Sequence, residues 1–135
     1  MTAHVVRPMV NRDSQFFWDG TAAGELRIPQ CNACGALRFP PGPACQSCEA
    51  YDRGYQVAAG TGTVFSYVVH RHPPVPGKEL PIVIALIDLD EGVRMVGEVV
   101  GVDELEIGDR LQVDYNRIDD DLTLPVWRRT EEEGR

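Results

Sequence analysis

Four cysteines occur as two pairs, and each pair has the spacing of a metal-binding turn. The first pair is Cys31 and Cys34, and the second is Cys45 and Cys48. Two residues between cysteines let both sulfur atoms turn toward one point, where backbone N–H groups of the tight turn face the thiolates. Four thiolates favour a closed, tetrahedral zinc site. The pattern therefore predicts one structural Zn²⁺ per chain.

The four cysteines have three alternative states, namely disulfides, reduced core thiols and an iron site. Residues 1–10 lack an apolar stretch of signal-peptide length, so we expect a cytoplasmic protein whose cysteines bind metal rather than pair. An iron site of the rubredoxin type would use the same four-sulfur geometry. With either metal no ligand position stays open, so the metal is not predicted to catalyse hydrolysis.

The two cysteine turns differ in the residue that follows each pair. Gly35 follows the first pair, and it suits a backbone position that often needs a positive φ. Glu49 stands at the equivalent place after the second pair. Because glutamate is less suited to that conformation, we expect the second turn to be looser.

The other residues that could do chemistry form no recognisable catalytic group. The histidines are His4, His70 and His72, and the last two could share one face at a strand end, although a surface position is favoured. The acidic run 119–121 has the composition of a solvated turn. The run 60–63 contains glycines but lacks the helix that follows a phosphate-binding loop. We therefore predict that the chain is not an enzyme on its own.

A short helix is predicted ahead of the cysteines, over Arg12–Leu26. Asp13 or Ser14 can cap its start, and Gly24 can end it.

Three adjacent aromatic residues, Phe16, Phe17 and Trp18, lie in this predicted helix. Neighbouring helical residues point about 100° apart, so the three rings cannot all face one side. Two explanations are open. The rings pack on the rest of this chain, or at least one of them inserts into a partner protein, as aromatic anchors do at interfaces.

Short extended segments make up the remainder of the chain. The cysteine segment contains extended pieces at 26–28 and 36–39, with a proline-rich bend at 40–43. Five further strands are predicted, separated by turn residues: Gly62–His70, Pro81–Leu89, Val93–Val100, Asp109–Arg117 and Leu122–Arg129.

These elements predict a mainly β protein in two units. Residues 1–54 would form the N-terminal helix and a rubredoxin-like zinc ribbon. Residues 55–135 would form a barrel of five strands, followed by an acidic tail at 131–133. An oligonucleotide/oligosaccharide-binding (OB) fold fits the size best, and an SH3-like barrel is the second choice.

The charge of the chain argues against two classes of partner. The net charge is −8, so the average surface repels nucleic-acid phosphates and anionic lipid heads. No apolar run approaches the roughly 20 residues that cross a bilayer. We therefore expect neither nucleic acid nor membrane as a partner.

Several of these segments together resemble a known family. The helix segment 16–20, the strand 26–28 before the first cysteine pair, and the turn 39–41 resemble the zinc ribbon of the thiolase-associated proteins catalogued as domain of unknown function thirty-five. Weaker markers of that family's OB-fold barrel follow in the expected order at 62–70, 76–77, 81–86, 91–93 and 107–108. The resemblance covers nearly the whole chain.

The resemblance implies a function in a complex. Members of the family work beside thiolase-like enzymes that act on acyl-coenzyme A thioesters, with the catalytic residues in the partner, and some are fused to a hydratase-like domain. This chain is most similar to those that accompany thiolase-like aldolases of steroid side-chain degradation, which split a carbon–carbon bond in a β-hydroxyacyl thioester.

Two alternatives stay open beside this function, and one further site follows from it. The chain could serve a carbon–carbon-bond-forming or cleaving thiolase, or it could bind single-stranded nucleic acid. If coenzyme A phosphates approach this subunit, the candidate contacts are Arg71 and Lys78 on a proline-rich loop, with Arg38 as a weaker candidate.

Overall fold

A computed structural model describes residues 6–130 of the chain. The predictions on His4 and on the tail at 131–133 lie outside the described residues. Within this range the elements are α1 (Gln15–Ala22), β1 (Leu26–Cys31), β2 (Arg53–Ala58), β3 (Thr61–His70), β4 (Ile82–Leu89), β5 (Arg94–Val100), β6 (Arg110–Asp119) and β7 (Leu122–Arg129). Over residues 6–130, no helix has the length and hydropathy that a bilayer span requires.

The strands form one hairpin sheet and one barrel. Strands β1 and β2 pair antiparallel, with Leu26 opposite Ala58 and Cys31 opposite Arg53. Strands β3 to β7 close a barrel in the order β3-β4-β5-β7-β6, in which β5 and β7 run parallel. This arrangement of a short helix, a ribbon hairpin and a five-stranded OB barrel confirms the predicted fold class.

The helix is shorter than predicted because a turn around Gly24 ends it. The backbone N–H of Gly24 donates to the carbonyl of Thr21, and that of Glu25 donates to the carbonyl of Gly20. Gly24 has φ of 77°, which glycine adopts without steric cost. These two hydrogen bonds are the Schellman motif of helix ends. The predicted last residue, Leu26, instead begins β1.

The start of the helix also differs from the prediction. Ser14 occupies the N-cap position, but its side chain makes no capping hydrogen bond. The side-chain oxygen of Asn11 accepts from the backbone N–H groups of Asp13 and Ser14 instead. Asn11 therefore organises the turn that leads into α1.

Strand β2 was not predicted, and it crosses the predicted division at residue 54. It begins at Arg53, within the predicted ribbon unit, and ends at Ala58, within the predicted barrel unit. Its partner β1 ends at Cys31, the first of the four cysteines, so the hairpin encloses the rest of the cysteine segment. The division of the chain at residue 54 stays a prediction.

The second extended piece of the ribbon, at 36–39, is not a strand. Leu37 forms one isolated bridge with Gln30. Pro40 and Pro41 follow directly and have no backbone N–H to donate, so the pairing does not continue.

The centre of the barrel is filled by Trp127, which is fully buried. Gly97 faces this indole from β5. A Cβ atom added at Gly97 would lie 2.5 Å from both Cδ1 and Nε1 of Trp127, and 3.2 Å from Cδ1 of Ile87. A contact of 2.5 Å is shorter than real Cβ atoms essentially ever show. The close approach of the indole therefore requires glycine at position 97.

One continuous core joins the barrel to the elements before it. Phe17 of α1, together with Leu26 and Ile28 of β1, belongs to the same cluster of buried residues as Trp127. The helix also contacts the last strand, because the Thr21 hydroxyl donates to the carbonyl of Thr123 at 2.7 Å. The ribbon hairpin and the helix are thus packed on the barrel.

An ion pair at one end of the barrel fastens β6 to the turn between β4 and β5. Arg110 donates two hydrogen bonds of 2.9 Å to the Asp90 carboxylate, and the Thr61 hydroxyl donates a further one. The Arg110 guanidinium, and then the Thr61 hydroxyl, lower the pKa of Asp90 to about 2.

We expect this pair to make stability depend on pH in the acidic range. The folded-state pKa of Asp90 lies below the ordinary value of about 3.9, so its stabilisation is present above about pH 4 and is lost as the pH falls from 4 to 2. Asp90→Asn should lower the thermal midpoint by about 2–3 °C at pH 7, since the carboxylate is partly exposed and screened. Calorimetry at pH 7 and pH 2.5 measures the difference in thermal midpoint between wild type and Asp90→Asn at each pH. This difference should be smaller at pH 2.5.

The control for this experiment is Asp103→Asn, which changes an exposed carboxylate in the loop after β5. It should leave the midpoint unchanged at both pH values. A gap between wild type and Asp90→Asn that is equally large at pH 2.5 would contradict the assignment.

Candidate metal centre and partner-binding surface

The four cysteine sulfur atoms converge on one point of the ribbon. All four Sγ atoms lie within 4.8 Å of one another. Sγ of Cys31 lies 3.6 Å from that of Cys48, and Sγ of Cys34 lies 3.7 Å from that of Cys45. Four sulfurs at the usual Zn–S distance of about 2.3 Å form a tetrahedron with edges of about 3.8 Å. The cluster therefore fits one structural zinc ion, as the spacing predicted.

The two cysteine turns repeat the same backbone hydrogen bonds. In the first turn the Gly35 N–H donates to the carbonyl of Cys31 at 2.9 Å. In the second turn the Glu49 N–H donates to the carbonyl of Cys45 at 2.8 Å. Each turn thus closes over its own first cysteine.

Glu49 does not loosen the second turn, contrary to expectation. It adopts φ of 67°, in the left-handed region, as Gly35 does with φ of 81°. A left-handed conformation costs a residue with a Cβ roughly 1–2 kcal/mol. The four-cysteine geometry imposes this conformation despite its cost, and the hydrogen bonds of the turn are kept.

Backbone N–H groups in each turn stabilise the first thiolate. The N–H groups of Cys34 and Ala33 lower the pKa of Cys31 and lie 3.4 and 3.3 Å from its sulfur. The N–H groups of Cys48 and Ser47 likewise lower the pKa of Cys45, to about 6. Thiolates are the form that binds zinc, so these donors favour metal binding near neutral pH.

Crowding has the opposite effect on Cys48. The Ala50 N–H lowers its pKa, but the sulfur atom of Cys31, burial, and the sulfur atoms of Cys34 and Cys45 together outweigh this donor and raise it to about 12. Four thiolates so close together need a cation between them. Bound zinc would supply that charge, and the four sulfurs would complete its tetrahedral shell. The ion would serve to hold the ribbon.

The three aromatic residues of the helix have separate environments. Phe17 is 4% exposed, and its ring meets Trp18 and Phe39 edge to face at 5.0 and 5.6 Å. Phe16 is half-buried and stacks on Tyr55 at 5.8 Å, with the Arg53 guanidinium 4.2 Å from its centroid. The role of these residues as partner contacts stays a prediction. Because Phe17 is buried and Trp18 is partly exposed, Trp18 is the better candidate for such a contact.

The candidate phosphate contacts lie in two different parts of the chain. Lys78, on the loop between β3 and β4, is ion-paired with Glu98 of β5. Arg71 is exposed at the start of the same loop. Arg38 lies in the ribbon and donates to the carbonyl of Gly42 at 3.1 Å. Their contact with coenzyme A stays a prediction.

His70 has a structural contact in that loop. Its Nε2 lies 2.8 Å from the carbonyl oxygen of Pro73, to which it can donate. His72 is exposed two residues further on.

An apolar groove on the outer face of the barrel was not predicted from the sequence. It has a volume of about 540 Å³. Trp18 of the helix lines one part, Val75 and Pro76 of the loop line another, and the floor is formed by residues of β4, β5 and β7. Its lining comes from the helix, the loop and three strands, so no local pattern identifies it.

Two known protein families match this chain, and each match covers one of its two structural units. Residues 18–51 match the family described as the ChsH2 rubredoxin-like zinc ribbon domain. Residues 55–116 match the family described as the ChsH2 C-terminal OB-fold domain.

Three individual proteins show similarity over most of the chain. The 3-oxo-4,17-pregnadiene-20-carboxyl-CoA hydratase alpha subunit of Mycobacterium tuberculosis is 46% identical over 94% of this chain. A DUF35 domain-containing scaffold protein of Methanocaldococcus jannaschii is 33% identical and covers 68% of each chain. The solved Ltp2-ChsH2(DUF35) aldolase contains a chain that is 46% identical, with a TM-score of 0.84, covering 91% of this chain and 98% of that one.

The chain corresponds to only part of some of these relatives. The chain spans about two fifths of the two hydratase alpha subunits that it matches, 39% and 41% of their lengths. It matches the chain of the solved aldolase almost from end to end.

Proposed function

Because this chain belongs to the ChsH2 and DUF35 family of zinc-ribbon and OB-fold proteins, we propose that it is a non-catalytic accessory subunit of a thiolase-like acyl-coenzyme A aldolase. The complex would cleave a carbon–carbon bond of a β-hydroxyacyl thioester by a retro-aldol reaction. The chain would be needed for assembly and for activity, while the reacting groups belong to the partner.

The observation that carries this proposal is the likeness to the Ltp2-ChsH2(DUF35) aldolase, whose matching chain is covered over 98% of its length. The zinc site supports a structural role, because four cysteines leave no ligand position for substrate. The archaeal relative described as a scaffold protein points the same way.

The acyl group is the finer part of the proposal. The pregnadiene-carboxyl-CoA hydratase subunit among the relatives favours a steroid side chain. A hydratase-like subunit or domain is accordingly a candidate second partner in the complex. An accessory role for a thiolase is the nearest alternative, because the same family resemblance supports it. Nucleic-acid binding is less favoured, since the net charge of −8 opposes phosphate contacts.

Reconstitution tests the proposed function. The purified zinc-loaded chain is mixed with the Ltp2 subunit of the solved aldolase, and complex formation is measured by size exclusion with light scattering. We expect a stable hetero-oligomer that cleaves a β-hydroxyacyl-coenzyme A thioester. The chain alone should show no cleavage, since it lacks an activated nucleophile and a placed acid/base pair.

Two results would contradict the proposal. One is turnover by the chain alone that a substitution within this chain abolishes. The other is the absence of any complex, together with nucleic acid that co-purifies and binds at physiological salt, which would support the alternative class.

A further inference from the structure

We propose that the apolar groove between Trp18 and the proline-rich loop is the surface on which this chain receives an uncharged, apolar segment of the aldolase subunit. The inference rests on the proposed function and assigns the contact surface within it. The occupant is a protein segment rather than a nucleic acid or a phosphate-bearing ligand.

The floor of the groove is the outer face of the strands that OB folds commonly use for ligands. Strands β4 and β5 correspond to the second and third barrel strands, and the loop at 71–81 corresponds to the loop joining the first two. In nucleic-acid-binding OB folds this face is basic and carries stacking aromatics. Here it presents Ile82 and Ile84 from β4 and Val96 from β5.

The charges of the groove compensate one another. Lys78 and Glu98 both line it, and they form an ion pair with side chains only about one quarter exposed. At the end of this face that is farther from the proline-rich loop, Arg94 and Asp88 form a second ion pair. A chain of net charge −8 thus keeps this face neutral. A neutral apolar surface complements an apolar protein segment, whereas a phosphate group would have to displace Glu98 from Lys78.

Apolar residues continue from the groove across the sheet. The register places Val68 beside Ile84, and Leu86 beside Val96, all on the outer face. Val68 is 61% exposed and Val96 is 58% exposed. The apolar row therefore extends beyond the groove onto an open sheet face, which a segment of a partner chain can cover.

A charge placed in the groove tests the assignment. Val96→Glu should weaken association with the Ltp2 subunit at least about thirtyfold, because docking would bury an unpaired carboxylate. Ile107→Glu is the matched control, since Ile107 is 72% exposed and lies outside the groove. It should bind as wild type does. Both sites are exposed, so both variants should keep the zinc content and thermal midpoint of wild type.

Hydrogen exchange provides a second measurement that needs no variant. In the complex the amides of residues 77–80 should exchange more slowly, while those of residues 103–107 should not change. The fluorophore 1-anilinonaphthalene-8-sulfonate binds exposed apolar surface, and the Ltp2 subunit should displace it from the groove.

The outcomes separate the two proposals. If wild type and Val96→Glu bind the Ltp2 subunit equally, the groove is not the docking surface, although the proposed function stands. If a fluorophore bound in the groove is not displaced by the subunit, the subunit does not cover the groove and the inference is overturned. If wild type itself fails to bind, both proposals fall.

Discussion

Replacing Cys45 by serine is expected to unfold the zinc ribbon. In the described structure residues 32–52 contain turns and a single isolated bridge, and Leu37 and Phe39 pack against the core, so the segment relies mainly on the metal for its order. Apparent zinc-binding free energies of structural sites are about 10–16 kcal/mol, as large as the whole stability of a typical domain. Zinc content should fall from one ion per chain, and amide protection should disappear over residues 31–52.

The barrel should keep its protected amides in the same experiment, because its strands pair with one another around Trp127. Ser47→Ala is the control. Ser47 is exposed and contributes its backbone N–H to the Cys45 sulfur, which alanine preserves. Stoichiometric iron in the wild-type protein would replace zinc in this account. Protection retained by a metal-free chain would remove the structural role of the metal.

The substitution Gly97→Ala, which adds one methyl group, is expected to destabilise the barrel by about 1–3 kcal/mol, because the new Cβ would lie 2.5 Å from the Trp127 indole. Trp127→Ala alone should cost about 3–5 kcal/mol through the cavity that it leaves. In that background the methyl group no longer meets the indole. Denaturant unfolding should therefore show the double variant to be about as stable as Trp127→Ala alone.

Gly42→Ala is the matched control for the methyl group. Nothing lies within 4 Å of a Cβ at position 42, so its stability should stay within about 0.5 kcal/mol of wild type. If the effects of Gly97→Ala and Trp127→Ala were simply additive, a neighbour other than the indole would be responsible.

Local patterns in the sequence were sufficient for the metal site and the barrel strands. The spacing of the cysteines was enough to predict the site, because each pair is oriented by a turn that hydrogen bonds close within a few residues. The strands β3 to β7 appear within a few residues of their predicted bounds. Alternating apolar residues and intervening turn residues carry that information.

Features that depend on distant residues were missed. Strand β2 contains Gly54 and alternates weakly, and its pairing is determined by β1, which lies on the other side of the cysteine segment. The conformation of Glu49 follows from the shape of the whole metal site rather than from its own preference. The groove required the packing of the helix against the barrel.

The hydrogen bond between Thr21 and Thr123 has a consequence for the order in which the chain is made. The two residues are 102 positions apart, so a ribosome adding about 5–20 residues per second needs about 5–20 s to supply the acceptor after the donor. The helix leaves the ribosome before β7 and cannot reach its place on that strand until β7 has emerged. During that interval Trp18 lacks the groove beside which it will lie, and it is open to contact with other nascent or newly released chains. A partner that associates during synthesis would meet this helix before the barrel has closed.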